Sequence, residues 1–144
     1  MSIVKRVNQL INDGGIIVSQ YKSAILIVDD DSTNLEMSAA ILESLEIKAD
    51  KAESGTKAIE LCAANHYDVI FMDIEMPKPD GYETTEIIKQ MKHSSANAII
   101  VALSATLSSR AKVVKCIQSG MKDCMVKPLD AEDIKIRFEK WNVQ

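Results

Sequence analysis

Long apolar runs and clusters of basic residues are both missing from this sequence of 144 residues. Its apolar runs have the length of strands, far short of the roughly 20 residues that a helix needs to cross a membrane. The first residues lack the apolar core of a signal peptide. The net charge is −4 and no basic stripe is present, whereas binding to phosphate backbones requires clustered Lys and Arg. We therefore expect neither a membrane span nor direct nucleic-acid binding.

Cysteine and histidine are also scarce. The chain has three cysteines, Cys62, Cys116 and Cys124, and an odd number cannot pair completely within one chain. They show no CxxC spacing, and His66 and His93 share no spacing typical of metal ligands, so we expect no zinc site. A reducing cytoplasm is the expected location.

Strand-like and helix-like segments alternate along the chain. The apolar fraction of 47% is typical of one globular domain, and five strands are predicted, each followed by a helix. The strands are expected at residues 24–28, 47–52, 69–72, 98–103 and 124–126. This alternation predicts an α/β fold in which a doubly wound parallel sheet has helices on both faces. In the last helix, over residues 130–142, the expected packing residues are Ile134, Ile136, Phe138 and Trp141.

The first 23 residues differ from the rest, so we expect an N-terminal extension over residues 1–23 and the main domain over 24–144. Residues Val4, Val7, Leu10 and Ile11 fall at helical spacing, which predicts a short amphipathic helix. A linker and a docking or dimerising helix both remain open.

Polar side chains stand where four of the predicted strands end. Asp29 and Asp30 follow the first strand, Asp73 the third, Ser104 the fourth and Lys127 the fifth. These ends meet at one edge of a parallel sheet, where ligands bind. Crowded carboxylates repel one another unless a cation lies among them, and Mg²⁺ prefers such oxygen ligands. Carboxylates, a hydroxyl and an ammonium group together suit the acceptance of a phosphoryl group.

Four sequence blocks resemble the signatures of response regulator receiver domains. They are Ile25–Asp30, Met72–Pro77 with Asp80–Gly81, Ser104–Ala105, and Lys127–Pro128. The resemblance covers residues 24–142 and implies a five-stranded, flavodoxin-like sheet in the order 2-1-3-4-5. It also implies Mg²⁺-dependent transfer of a phosphoryl group from a phosphohistidine, which switches a protein-interaction surface. The donor would be a histidine kinase or a histidine phosphotransfer domain.

The resemblance also implies a role for each acidic residue. Asp73 would be the phosphoacceptor, and Asp29, Asp30 and Asp73 would hold Mg²⁺ together with the backbone carbonyl of Glu75. Such a domain would catalyse its own phosphorylation and slow dephosphorylation, yet act mainly as a signalling switch. The Glu75 side chain is either a solvated loop residue or a group that tunes the lifetime of the phosphoryl group.

Further implied contacts come from the last two strands. Ser104 would be the hydroxyl that turns toward the phosphoryl group, and Lys127 and the backbone of Ala105 would contact that group. The Lys127–Pro128 bond is expected to be cis. Cys124 stands where the family commonly has an aromatic residue, so a smaller rearrangement on activation is expected.

Several alternatives stay open at this level. Residues 29–33 also fit the DxDxT pattern of haloacid dehalogenase phosphatases, with Asp29 as the nucleophile. A degenerate receiver that acts only as an interaction module is disfavoured, because all signature residues are present. The chain resembles receivers attached to hybrid histidine kinases, although a separate receiver in a phosphorelay fits equally well. A homodimer could form through the face of residues 106–140.

Overall fold

A computed structural model describes residues 2–6, 21–107 and 109–144. In this part of the chain, five strands form one parallel sheet in the order β2-β1-β3-β4-β5. The strands are β1 Ile25–Val28, β2 Asp50–Ala52, β3 Val69–Asp73, β4 Ile99–Ser104 and β5 Asp123–Val126. The α-helices that follow the strands are α1 Ser32–Ser44, α2 Gly55–Ala64, α3 Gly81–Lys89, α4 Arg110–Ser119 and α5 Ala131–Lys140, and Ser94–Asn97 form a 3₁₀ turn. The predicted fold class and strand order are confirmed.

The three central strands are buried because their side chains alternate between two apolar layers. On β3, Val69 and Phe71 pack against α1 and α5, whereas Ile70 and Met72 pack against α2, α3 and α4. Such strands read as continuous apolar runs instead of alternating patterns, as expected for parallel strands covered on both faces.

Side-chain caps start the helices that follow the first three strands. The Asp31 carboxylate accepts hydrogen bonds from the backbone N–H groups of Thr33 and Asn34 at the start of α1. Ser54 caps α2 in the same way, and Asp80 forms a capping box with Glu83 at α3. Each cap satisfies backbone donors that the first turn of a helix leaves unpaired.

Gly81 allows α3 to begin directly against the end of β3. A Cβ atom at this position would lie 2.3 Å from the backbone oxygen of Asp73, which is closer than non-bonded atoms approach. The turn after Asp73 therefore depends on glycine for space, and this close approach helps to fix the end of the strand.

The bounds of β1, β3, β4 and β5 differ from the sequence prediction by one residue, and β2 and α5 differ more. β2 begins at Asp50 and not at residue 47, because the backbone N–H of Ile47 bonds to Leu42 at the end of α1. In α5, Ile134 and Phe138 are buried, but Ile136 is 64% exposed, so its prediction as a packing residue was wrong. Two residues advance a helix by about 200°, which turns Ile136 to the opposite side.

The N-terminal prediction is covered only in part. Residues 3–6 are helical, whereas Val7, Leu10 and Ile11 lie outside the described residues. None of the helices formed by the described residues is long and apolar enough to cross a membrane.

We expect Phe138→Ala to reduce the free energy of unfolding by about 3 to 5 kcal/mol, because it leaves a cavity in the core. The ring is buried and packs against Tyr21, Phe71 and Trp141. The matched control on the same helix, Ile136→Ala, should change stability by less than about 0.5 kcal/mol. Urea unfolding of both variants measures the difference, and equal losses would contradict the assigned helix orientation.

Candidate functional site

Three carboxylates meet at the carboxyl edge of the sheet. β1 and β3 are neighbours, with Val28 paired to Met72, so Asp29 and Asp73 follow side by side. Oxygen atoms of Asp29, Asp30 and Asp73 all lie within 4.8 Å of one another. Asp29 and Asp73 are buried and Asp30 is exposed. The structure therefore brings together the acidic residues that the sequence analysis selected.

Backbone N–H groups orient the two buried carboxylates. The N–H of Asp31 donates to Asp29 Oδ1, and the N–H of Glu75 donates to Asp73 Oδ1, each at 2.9 Å. In both cases the donor lies two residues after the aspartate, so the turn that leaves the strand holds the side chain. The second oxygen of each carboxylate faces Lys127.

Lys127 is the cation that these carboxylates share. Its Nζ lies 2.9 Å from Asp29 Oδ2 and 3.1 Å from Asp73 Oδ2. Its backbone N–H donates to the carbonyl of Ser104 at 2.8 Å, which ties the residue to the end of β4. The bond from Lys127 to Pro128 is cis, as expected.

The charges in this cluster are not balanced. Burial raises the pKa of Asp73 to about 6, although the N–H of Glu75 and the ammonium group of Lys127 oppose the shift. Burial alone would lower the pKa of Lys127, but its contacts with Asp29 and Asp73 raise it. One ammonium group thus serves two buried carboxylates, and the exposed Asp30 adds a third negative charge.

The donor set fits a hard divalent cation. Asp29 Oδ2 is buried, and Lys127 Nζ lies 2.9 Å from it. Because Lys127 also pairs with Asp73, two buried carboxylates share one ammonium group, and a second cation would compensate the remaining negative charge. Carboxylate oxygens beside an open cleft are the ligands that Mg²⁺ uses while keeping several waters.

The cleft around the carboxylates also includes residues that the sequence analysis did not select for the site. Asn34 and Met37 line it from α1, and Pro128 lines it from the loop after β5, whereas Ala105, which was selected for its backbone, lines it from the loop after β4. Asn34 and Met37 are three residues apart and therefore share one helix face. Their position close to the Asp31 cap was the sequence signal that could have identified them.

Ser104 ends β4 at the same edge, but its hydroxyl contacts groups other than Asp73. The side chain is buried, and Ser104 Oγ lies 2.7 Å from the carbonyl oxygen of Thr106 and 3.1 Å from Glu75 Oε1. The hydroxyl can therefore donate to either acceptor.

Glu75 is partly exposed, yet it is held by specific contacts. Lys112 Nζ on α4 lies 2.9 Å from Glu75 Oε1. The hydrogen bond from Lys112, followed by the one from Ser104, lowers the pKa of the Glu75 carboxyl group. The sequence analysis missed Lys112, because the loop before α4 brings it to the site and no local pattern reveals that contact.

Cys124 lies on β5 and is only partly buried. It packs with the apolar layer that includes Cys116 of α4. Burial raises the pKa of the Cys124 thiol. No large side chain occupies this position.

The sheet order and the site at its carboxyl edge place this chain among the flavodoxin-like α/β proteins. A sequence model of the family described as "Response regulator receiver domain" matches residues 25–139. The chain belongs to the response regulator receiver domain family, the receivers of two-component and phosphorelay signalling.

This chain is similar to segments of much longer histidine kinases. Hybrid signal transduction histidine kinase A of Dictyostelium discoideum is 36% identical over 124 residues, which are 84% of this chain and 6% of the kinase. The chain thus spans a small part of that relative.

Two solved structures have closely similar folds. One is the receiver domain of sensor histidine kinase PA1611 from Pseudomonas aeruginosa, with a magnesium ion coordinated in its active-site cleft. It is 28% identical, with a TM-score of 0.73, covering 83% of this chain and 96% of that one. The other belongs to the complex of the Saccharomyces cerevisiae histidine phosphotransfer protein Ypd1 with the receiver domain of Ssk1. It is 27% identical, with a TM-score of 0.74, covering 84% and 89%.

These similarities give no support to the haloacid dehalogenase alternative. The geometry also disfavours it. Asp31 is the second aspartate of the DxDxT pattern, and its carboxylate is engaged in capping α1.

We expect Asp73→Asn to stabilise the metal-free protein by roughly 1 to 3 kcal/mol at pH 7.5. The raised pKa of Asp73 means that the folded state binds more protons than the unfolded chain between about pH 4 and 6. The free energy of unfolding therefore falls as the pH rises through that window. Asparagine does not ionise, so the substitution removes this loss. The gain should disappear near pH 4.

Urea unfolding between pH 4 and 8 in the presence of a chelator measures this effect. The control Glu132→Gln, at a side chain that is 75% exposed, should change stability by less than about 0.5 kcal/mol. A less stable Asp73→Asn protein at pH 7.5 would contradict the description of the cluster as short of positive charge.

Proposed function

We propose that this chain is a phosphoacceptor in which Asp73 receives a phosphoryl group from a phosphohistidine in an Mg²⁺-dependent reaction. The observation that carries the proposal is the position of the Asp73 carboxylate. It ends a buried strand, lies within 4.8 Å of oxygen atoms of Asp29 and Asp30, and has Lys127 at 3.1 Å.

The carboxylates of Asp29, Asp30 and Asp73 and the backbone carbonyl of Glu75 would hold Mg²⁺. When bound, the ion supplies positive charge that offsets the charge on the oxygens of the transferring phosphoryl group. The excess of two buried carboxylates, Asp29 and Asp73, over the one ammonium group of Lys127 supports this assignment.

The chain itself would provide the nucleophile and a fixed positive charge. A carboxylate oxygen of Asp73 forms a bond to phosphorus as the bond between phosphorus and the imidazole nitrogen of the donor breaks. The donor nitrogen takes the electron pair. Lys127 already faces Asp73 Oδ2 and stabilises charge on the phosphoryl oxygens. With a pKa of about 6, Asp73 is ionised at neutral pH, as a nucleophile must be.

Ser104, the backbone of Ala105 and Lys127 would contact the phosphoryl group once it is present. For Ser104 this requires that its hydroxyl stop donating to the carbonyl of Thr106 or the carboxylate of Glu75 and donate to the phosphoryl group instead. At Cys124 a smaller side-chain rearrangement is expected than at an aromatic residue.

The proposed donor is a histidine kinase or a histidine phosphotransfer domain. The similarity to hybrid histidine kinases and to the yeast complex with Ypd1 supports this class of partner. The extension over residues 1–23, the receiver over residues 24–144 and a cytoplasmic location are parts of the same proposal.

A homodimer through residues 106–140 also remains a prediction. Three exposed apolar side chains lie on the helices of that face: Val114 and Ile117 on α4, and Ile136 on α5.

We expect acetyl phosphate and Mg²⁺ to add about one acid-stable, base-labile phosphoryl group per chain, on Asp73. Asp73→Asn should abolish this labelling, and Asp30→Ala should raise the Mg²⁺ concentration for half-maximal labelling at least about tenfold. Intact mass followed by peptide mapping measures both.

The matched control is Asp68→Asn. Asp68 precedes β3, at the opposite end of the strand from Asp73, so this variant should be labelled as the wild type is. Labelling of Asp29 with multiple turnover would contradict the proposal and would favour a phosphatase.

A further inference from the structure

Lys112 connects three segments beside the proposed phosphoacceptor. Its Nζ lies 2.9 Å from Glu75 Oε1, 3.3 Å from Ser104 Oγ and 3.3 Å from the carbonyl oxygen of Thr106. These acceptors belong to the loop after β3, the end of β4 and the loop before α4. An ammonium group has three N–H donors, so each acceptor can receive one of them. The Lys112 side chain is only 23% exposed.

These contacts determine which hydrogen bonds the Ser104 hydroxyl can form. The hydroxyl has one proton, and both nearby acceptors, the Thr106 carbonyl and the Glu75 carboxylate, are themselves bound by Lys112. Lys112 and the backbone N–H of Thr106 also donate to Ser104 Oγ. The hydroxyl is thus satisfied as donor and acceptor without any group on Asp73.

We propose that Lys112 is a positioning residue that holds the Ser104 hydroxyl away from the phosphoryl site, so that this contact must open before Ser104 can bind a phosphoryl group. The proposal rests on the function proposed for Asp73. It assigns to α4 a residue that lowers the affinity of the site for a phosphoryl group in the resting protein.

The phosphoryl group itself would oppose these contacts. Asp73 and Glu75 line the same cleft, so new negative charge on Asp73 would repel the Glu75 carboxylate. The phosphoryl oxygens also compete for the proton of Ser104. If only a fraction of the molecules has the Ser104 hydroxyl free to bind the phosphoryl group, the apparent affinity for that group is reduced in proportion to this fraction. Weakening the Lys112 contacts should therefore tighten binding.

The test is titration of the Mg²⁺-loaded protein with beryllofluoride, a mimic of the phosphoryl group, followed by amide NMR. Lys112→Met should bind roughly three- to tenfold more tightly than the wild type, because partly exposed charged contacts contribute modestly. The control Lys115→Met removes the same charge one turn along α4, where Lys115 lies over the ring of Tyr82. Its affinity should equal that of the wild type.

A Ser104→Ala background separates release of the hydroxyl from simple loss of charge. Without the hydroxyl there is nothing to release, so adding Lys112→Met should leave the affinity unchanged or weaken it. Equal effects of Lys112→Met in both backgrounds, or weaker binding with Ser104 present, would overturn the proposal.

A readout without metal completes the test. In the metal-free protein, Lys112→Met should shift the amide signals of Glu75 and Thr106, whereas Lys115→Met should not. Equal shifts in both variants would count against the proposal. Failure of the wild type to bind beryllofluoride at all would contradict the function proposed for Asp73. Equal affinities of the wild type and Lys112→Met would contradict only the role proposed for Lys112.

Discussion

The site depends on one interaction, in which a single lysine pairs with two buried aspartates. Asp29 and Asp73 end adjacent parallel strands, and Lys127 reaches both from the end of β5. A buried ion pair contributes little net stability, because desolvation offsets the attraction. Two carboxylates with one ammonium group are less favourable still, and burial, followed by the charge of Asp29, raises the pKa of Asp73. The excess negative charge is what makes the site suited to a divalent cation.

The fold brings these charges together by local means. Continuous apolar strands bury the sheet on both faces, and side-chain caps start the helices that follow β1, β2, β3 and β5. Asp31 caps α1, and Gly81 allows α3 to start against the backbone of Asp73. The site lies at the carboxyl ends of β1, β3 and β5, whereas Glu75, Ser104 and Lys112 form a separate polar network on one side of it. That network links the proposed chemistry to α4.

The sequence predicted the features that local patterns determine. Apolar runs located the strands, and the residues after them formed the carboxylate cluster. Gly120 ends α4 in the left-handed conformation that glycine adopts readily. Features set by tertiary contacts were harder to predict. The start of β2 depends on how α1 ends, and the contacts of the Ser104 hydroxyl depend on which acceptors the neighbouring loops supply. The contact between Lys112 and Glu75 joins residues 37 positions apart, and no short-range pattern predicts it.

The most direct test of the central claim is a crystal structure of the protein with Mg²⁺ and beryllofluoride. The account predicts beryllium bonded to a carboxylate oxygen of Asp73, with Mg²⁺ on Asp29 and Asp30 and with Lys127 contacting a fluorine. Beryllofluoride bonded to Asp29, or a cleft in which Mg²⁺ has no contact with these aspartates, would contradict it.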